Sequence, residues 1–135
     1  MYSKSLRAFI AGSSFPATVI PLIYMGIATT ITPEAGFHYF SEVLSICILF
    51  GILNIIFCNI KNLLLFTQTW KYWFFGWCHG LFFTIIWNFW LQVPEKLFHL
   101  SWFTQYLTIP VAIILYACIW RYIVRHINVM MSLDT

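Results

Sequence analysis

Four long apolar runs divide the chain, and polar or helix-breaking residues separate them. The pattern predicts helices over roughly residues 8–31, 41–60, 73–92 and 102–124. Thr32-Pro33-Glu34-Ala35-Gly36 ends the first, Lys61 marks the end of the second, and Val93-Pro94-Glu95-Lys96 closes the third. Proline and glycine are strong breakers. Each run reaches the roughly 20 residues a helix needs to cross a bilayer. The runs do not alternate in polarity as barrel strands do. Soluble helices of this composition would have no polar faces. The expected fold class is therefore all-α and membrane-spanning: four transmembrane helices in an up-down bundle, forming one transmembrane domain over residues 1–135.

Charge orients that bundle. Lys4 and Arg7 precede the first run, Lys61 and Lys71 lie between the second and third, and Arg121 and Arg125 close the fourth. Only Lys96 falls on the other side, where Glu34, Glu42 and Glu95 also lie. A bias of basic residues toward one side of short loops marks the cytoplasmic side. Both termini are thus expected in the cytoplasm, with Pro33 to Tyr39 and Val93 to Ser101 outside. The cell (inner, cytoplasmic) membrane of a bacterial type is the expected location.

Composition agrees with this. The chain is 61% hydrophobic and 8% charged, with a mean hydropathy of +0.84, against about 25% charged in soluble domains. Its net charge of +3 sits at helix ends, so no nucleic-acid partner is implied. Cys47, Cys58, Cys78 and Cys118 lie inside apolar runs and read as small hydrophobes rather than a disulfide framework. Four spans use up most of the length, leaving no soluble catalytic domain. The basic start followed by an apolar stretch resembles a signal peptide. However, Pro16 and Pro21 interrupt it and it continues to about Ile31, longer than a usual h-region of about 7–15 residues. A retained first helix is expected. Trp70, Trp73 and Trp77 at one end of the third helix, Trp87 and Trp90 at its other end, and Trp102 and Trp120 on the fourth form two expected interfacial belts. The segment from Asn128 to Thr135 reads as a short tail at the membrane surface.

Small residues and prolines carry the first structural signals. Gly76-Trp77-Cys78-His79-Gly80 contains G-x-x-x-G, and Ala8, Gly12 and Pro16 form a small-residue stripe. Small residues four apart let helix backbones approach closely, within the chain or across a homodimer seam. Pro16 and Pro21 free the carbonyls of Gly12 and Ala17, with Ser13, Ser14 and Thr18 at hand to satisfy backbone groups. The result is a fixed kink or a hinge.

Deep polar residues carry the candidate chemistry. Asn54 lies six residues from Ile60, and His79 lies six from Trp73, about 9 Å from each helix end at 1.5 Å per residue. Ser14 and Cys118 fall at similar depth. Ser14, Asn54, His79 and Cys118 thus define a candidate polar layer, because a solitary amide or imidazole in hydrocarbon is costly. Asn88 and Gln92 form a shallower step. A His79–Asn54 hydrogen bond is one reading of this layer, a solute or proton path is another, and haem ligation through His79 is a third. Haem would need a second histidine at matching depth. His126 lies beyond Arg125, while His38 and His99 belong to outer connections. Cys58, Cys78 and His79 follow no zinc-site spacing. No metal or cofactor is expected.

Enzyme signatures such as H-E-x-x-H, G-x-S-x-G and a phosphate-cradling loop are missing from the sequence. No carboxylate falls deep in a run, which opposes a proton-driven multidrug exporter of the small four-helix kind. The leading expectation is a non-enzymatic accessory, assembly or immunity-type subunit that associates with itself or with a larger membrane protein. The alternatives are an oligomeric small-solute transporter or channel around His79 and Asn54, and a haem-holding membrane anchor.

Overall fold

A computed structural model describes residues 3–30, 40–90, 92, 95 and 101–134. Those residues form four helical passages, and none of them is in a β-strand. Helix α1 spans Lys4–Thr30 and α2 spans Phe40–Ile60. Helix α3 spans Gln68–Ile85 and runs on as a π-helical segment, Ile86–Trp90. Helix α4, Trp102–Cys118, passes through a second π segment, Ile119–Val124, into α5, Arg125–Met130. Two stretches are long and apolar enough to cross a membrane, Lys4–Ile23 and Tyr106–Met130, and Leu44–Ile60 is apolar but shorter. The connections that hold Glu34, His38, Lys96 and His99 lie outside the described residues.

Helix bounds differ from the sequence pattern at two places. Helix α3 begins at Gln68 rather than near residue 73. Thr67 stands before it in extended backbone, and the Lys71 N–H already bonds to the Thr67 carbonyl at 3.1 Å. The fourth passage continues to Met130 rather than ending at residue 124. Arg121 and Arg125 do not stop it, because long basic side chains can reach outward from a continuing helix.

The chain divides into two compact units, residues 1–64 with 124–135, and residues 65–123. In the first unit, α1 and α2 pack antiparallel. Lys4 meets Cys58, Ala8 meets Asn54, and Gly12 faces Phe50 and Asn54. A Cβ on Gly12 would stand 2.5 Å from the Asn54 Cβ and from the Phe50 carbonyl oxygen, so only glycine permits this approach. Helix α5 also packs on α1. In the second unit, α3 and α4 pack antiparallel: Gly76 faces Ala117, Gly80 faces Ile113, and Asn88 bonds to Thr108. The G-x-x-x-G pair is therefore an intramolecular seam.

Pro16 and Pro21 both lie within the continuous α1. The Ser13, Ser14 and Thr18 hydroxyls bond to the carbonyls of Phe9, Ala11 and Ser14 at 2.8, 3.2 and 2.9 Å. These hydroxyls back-bond within the helix, but to carbonyls other than those of Gly12 and Ala17 that the prolines free.

The turn after α5 is ordered by its own backbone. Leu133 N–H bonds to Asn128 O at 2.8 Å, and Ser132 N–H to Val129 O at 3.0 Å. This is the pairing of a Schellman C-cap, which requires a left-handed residue. That residue is Ser132, at φ 54°. A non-glycine residue in this region costs roughly 1 kcal/mol. Ser132→Gly is accordingly expected to hold or raise the unfolding midpoint. Ser132→Val should lower stability by about 1–2 kcal/mol, since a β-branched residue fits the left-handed region poorly. Thermal unfolding of the pair in detergent checks the order; Ser132→Val at wild-type stability would contradict it.

Candidate functional site

Two polar cores occupy the two units. The first is built on Asn54, fully buried on α2. Its amide nitrogen donates to Ala8 O and to the Asn128 side-chain oxygen, both at 2.8 Å. Its oxygen accepts from the Asn128 amide at 3.0 Å and from the Cys58 thiol at 3.9 Å. A side-chain amide offers two donors and two acceptor positions, so every position of Asn54 is used. The two asparagines face each other reciprocally, Asn128 also being fully buried. The core thus joins α1, α2 and α5 through one amide.

Cations close one end of this unit. Arg7 Nη1 donates to Met131 O at 2.9 Å, and Lys4 Nζ to Cys58 O at 3.4 Å. Lys61 is buried, donates to Leu133 O at 2.5 Å and forms an ion pair with Asp134. Cations beside the last carbonyls of α2 and α5 complement the negative ends of those helices. Residues that mark one side of the chain by charge therefore also fix the C-terminal turn.

The second core is built on His79 of α3. Trp120 Nε1–H donates to His79 Nδ1 at 2.8 Å, and both side chains are buried. Tyr116 lies edge-on to the imidazole at 4.9 Å between ring centroids. Phe75 packs on Trp120 at 4.8 Å, and Phe83 on Tyr116 at 5.2 Å. Trp120 sits in the π segment Ile119–Val124. Such segments re-aim side chains within a helix and recur at functional sites. Asn88, in the other π segment, donates to Thr108 Oγ1 at 2.9 Å. The Thr84 hydroxyl bonds back to Gly80 O at 2.5 Å.

The four candidates of the polar layer are distributed as follows. Asn54 is partnered by Asn128, Ala8 and Cys58, and His79 by Trp120. Ser14 is half-buried with its hydroxyl on Ala11 O, and Cys118 is half-buried. Gln92 is exposed at φ 53°. The sequence pattern missed Asn128 by placing it in a surface tail, and missed Trp120 by placing it in an interfacial belt. Both corrections have one cause. The fourth passage runs on past residue 124, and Trp120, Val124 and Asn128, four residues apart along it, are all buried.

The hydrogen bond at His79 also bears on its chemistry. A metal-ligating histidine coordinates through one nitrogen and donates an N–H from the other to an acceptor. Here Nδ1 accepts from an indole, which can only donate. Neutral His79 therefore carries its proton on Nε2, leaving no lone pair there for iron. Among the described residues, no group of three or more His, Cys, Asp or Glu side chains could hold a metal ion. No protein-family model, curated protein or solved structure matches this chain.

Proposed function

We propose that this chain is a multi-pass protein of the cytoplasmic membrane, with both termini in the cytoplasm, acting as a non-enzymatic accessory or assembly subunit through helix association. The observation that carries the reading is the inverted polarity of α3. Its buried side consists of Tyr72, Gly76, His79, Gly80 and Thr84, followed by Asn88 in the π segment. Its exposed side presents Trp70, Phe74, Trp77, Leu81 and Ile85, followed by Phe89. Water would favour the opposite arrangement, while lipid requires polar groups to turn inward and find partners. Helix α2 shares the exposed apolar side, Leu44, Ile48, Ile52 and Ile56, while its buried side sets Asn54 among Ile46, Phe50 and Phe57.

Association is favoured over transport by how the deep polar groups are spent. Asn54 uses all its hydrogen-bonding positions within the chain, and the Nδ1 of His79 and the amide nitrogen of Asn88 are engaged across helix seams. Such bonds hold helices together in lipid. The outward apolar faces are then what another membrane protein, or a second copy, would meet.

Two measurements test this. Single cysteines at positions 36 and 96, in a cysteine-free background, are expected to label only from outside. Labelling only from the cytoplasmic side would overturn the orientation. Extraction in mild detergent is expected to yield an assembly heavier than the 15.9 kDa chain and free of a Soret band. A colourless monomer that moves a solute across proteoliposomes, and stops doing so in a stably folded His79→Leu variant, would replace the subunit reading with the transporter.

A further inference from the structure

We propose that the end of the connection between α2 and α3, leading into α3, is an interfacial wedge, with Leu65 and Phe66 inserted in the acyl–headgroup boundary of the lipid leaflet. This inference rests on the membrane reading above and specifies what one of its cytoplasmic-side loops touches. The connection is only Lys61–Thr67, and its sequence is Lys-Asn-Leu-Leu-Leu-Phe-Thr. Leu65 is wholly exposed and Phe66 is half exposed. An aqueous loop would carry polar residues at such positions. Here they are confined to the margins, at Asn62, Thr67 and Gln68, all exposed.

Reach identifies the occupant. Seven residues extend at most about 25 Å at 3.3–3.6 Å each, so no residue of the connection lies more than about 12 Å from the end of α2 or α3. If those helices span, the apolar tips lie at the bilayer surface whether or not any protein partner arrives. The wedge is also continuous with the apolar face of α3: the Phe66 ring packs on Phe74 at 5.4 Å between centroids, and Trp70 lies edge-on to Trp77 at 6.4 Å. Indole rings favour the headgroup level. Lys71, one turn into α3, supplies the charge that anionic headgroups attract. An apolar edge, an aromatic shoulder and a basic flank together match a lipid surface.

The test uses the full chain, cysteine-free apart from Leu65→Cys or Phe82→Cys, labelled with an environment-sensitive fluorophore. Vesicles of phosphatidylethanolamine and phosphatidylglycerol carry the protein. Phe82 is exposed on α3 and reports whether α3 faces lipid at all. The expected result at position 65 is blue-shifted emission, quenched by lipids brominated near the headgroup and insensitive to iodide. Quenching at 65 by iodide, with position 82 quenched by brominated lipid, would overturn the wedge and leave the membrane reading standing. Iodide quenching at both positions would overturn the membrane reading itself. Shielding of position 65 from both quenchers would place a protein surface there and also overturn the wedge.

Discussion

Asn54→Ala and Asn128→Ala are each expected to destabilise the protein by about 2 kcal/mol, and the double variant by little more than either alone. The reason is the reciprocal bonding of the two amides at 2.8 and 3.0 Å. Removing one leaves the other buried with unsatisfied positions, which costs roughly 1–3 kcal/mol. Removing both deletes the stranded partner along with its bond. Interhelical hydrogen bonds in membrane proteins average about 0.6 and reach about 1.7 kcal/mol, so the coupling is expected toward the upper end, at about 1–2 kcal/mol. Asn54→Ala should be the worse of the two, since it also removes the 2.8 Å bond to the Ala8 carbonyl that ties α2 to α1. Unfolding by a denaturing detergent, followed by helical signal, measures all four proteins. Additive single effects would show that the pair is not a unit. An Asn128→Ala variant indistinguishable from wild type would return that residue to a peripheral tail.

The pair also shows where sequence reading succeeds and where it stops. Asn54 stands out because an amide in an apolar run is costly and must be satisfied. That argument requires a partner but does not choose one. The depth count pairs Asn54 with His79, since both lie six residues from an expected helix end. In the structure the count fails as a locator: α3 starts at Gln68, and the fourth passage runs on to Met130. The second shift brings Asn128 into a helix and onto Asn54. Trp120 teaches the same lesson. Near a helix end an indole is expected at the headgroups, but this helix does not end there, and the ring is buried on His79. The number of helical passages was legible because apolar runs and breakers report it directly. So were the small-residue seams, because glycine at a spacing of four has a steric meaning. Partners across helices were not legible, because they depend on register, and register follows from helix ends that pattern reading places only within about 2–4 residues.

Glycine at positions 12 and 76 is expected to be the least replaceable residue of each unit. A Cβ on Gly76 would lie 2.6 Å from the Ala117 Cα and 2.9 Å from the Tyr116 carbonyl oxygen. Both are backbone atoms of α4 and cannot rotate away, so the helices must separate. Overpacking of this kind costs about 1–3 kcal/mol, against which alanine recovers up to about 1 kcal/mol of helix propensity. Gly76→Ala should therefore lose about 1–2 kcal/mol, and Gly76→Leu should disrupt folding. Gly80→Ala should lose less, since its nearest backbone atom, Ile113 Cα, is 2.9 Å away. Gly80→Leu should still exceed Leu81→Ala, because Leu81 is exposed. Gly12→Ala acts differently: its Cβ would stand 2.5 Å from the Asn54 Cβ, and moving Asn54 breaks the amide pair as well. Its effect should shrink in the Asn54→Ala, Asn128→Ala background. Gly51 is the milder case, since the atoms nearest a Cβ there belong to the Phe9 ring, at 2.6 Å, a side chain and not backbone. Gly26 is the control. Nothing lies within 4 Å of its added Cβ, so Gly26→Ala should be neutral or gain up to about 1 kcal/mol. Unfolding midpoints in one detergent supply the ranking: 12 and 76 worst, then 80, then 51, with 26 at or above wild type. A Gly76→Ala protein as stable as Gly26→Ala would mean that the α3–α4 seam is looser than its backbone contacts imply, and that packing is not what holds this unit together.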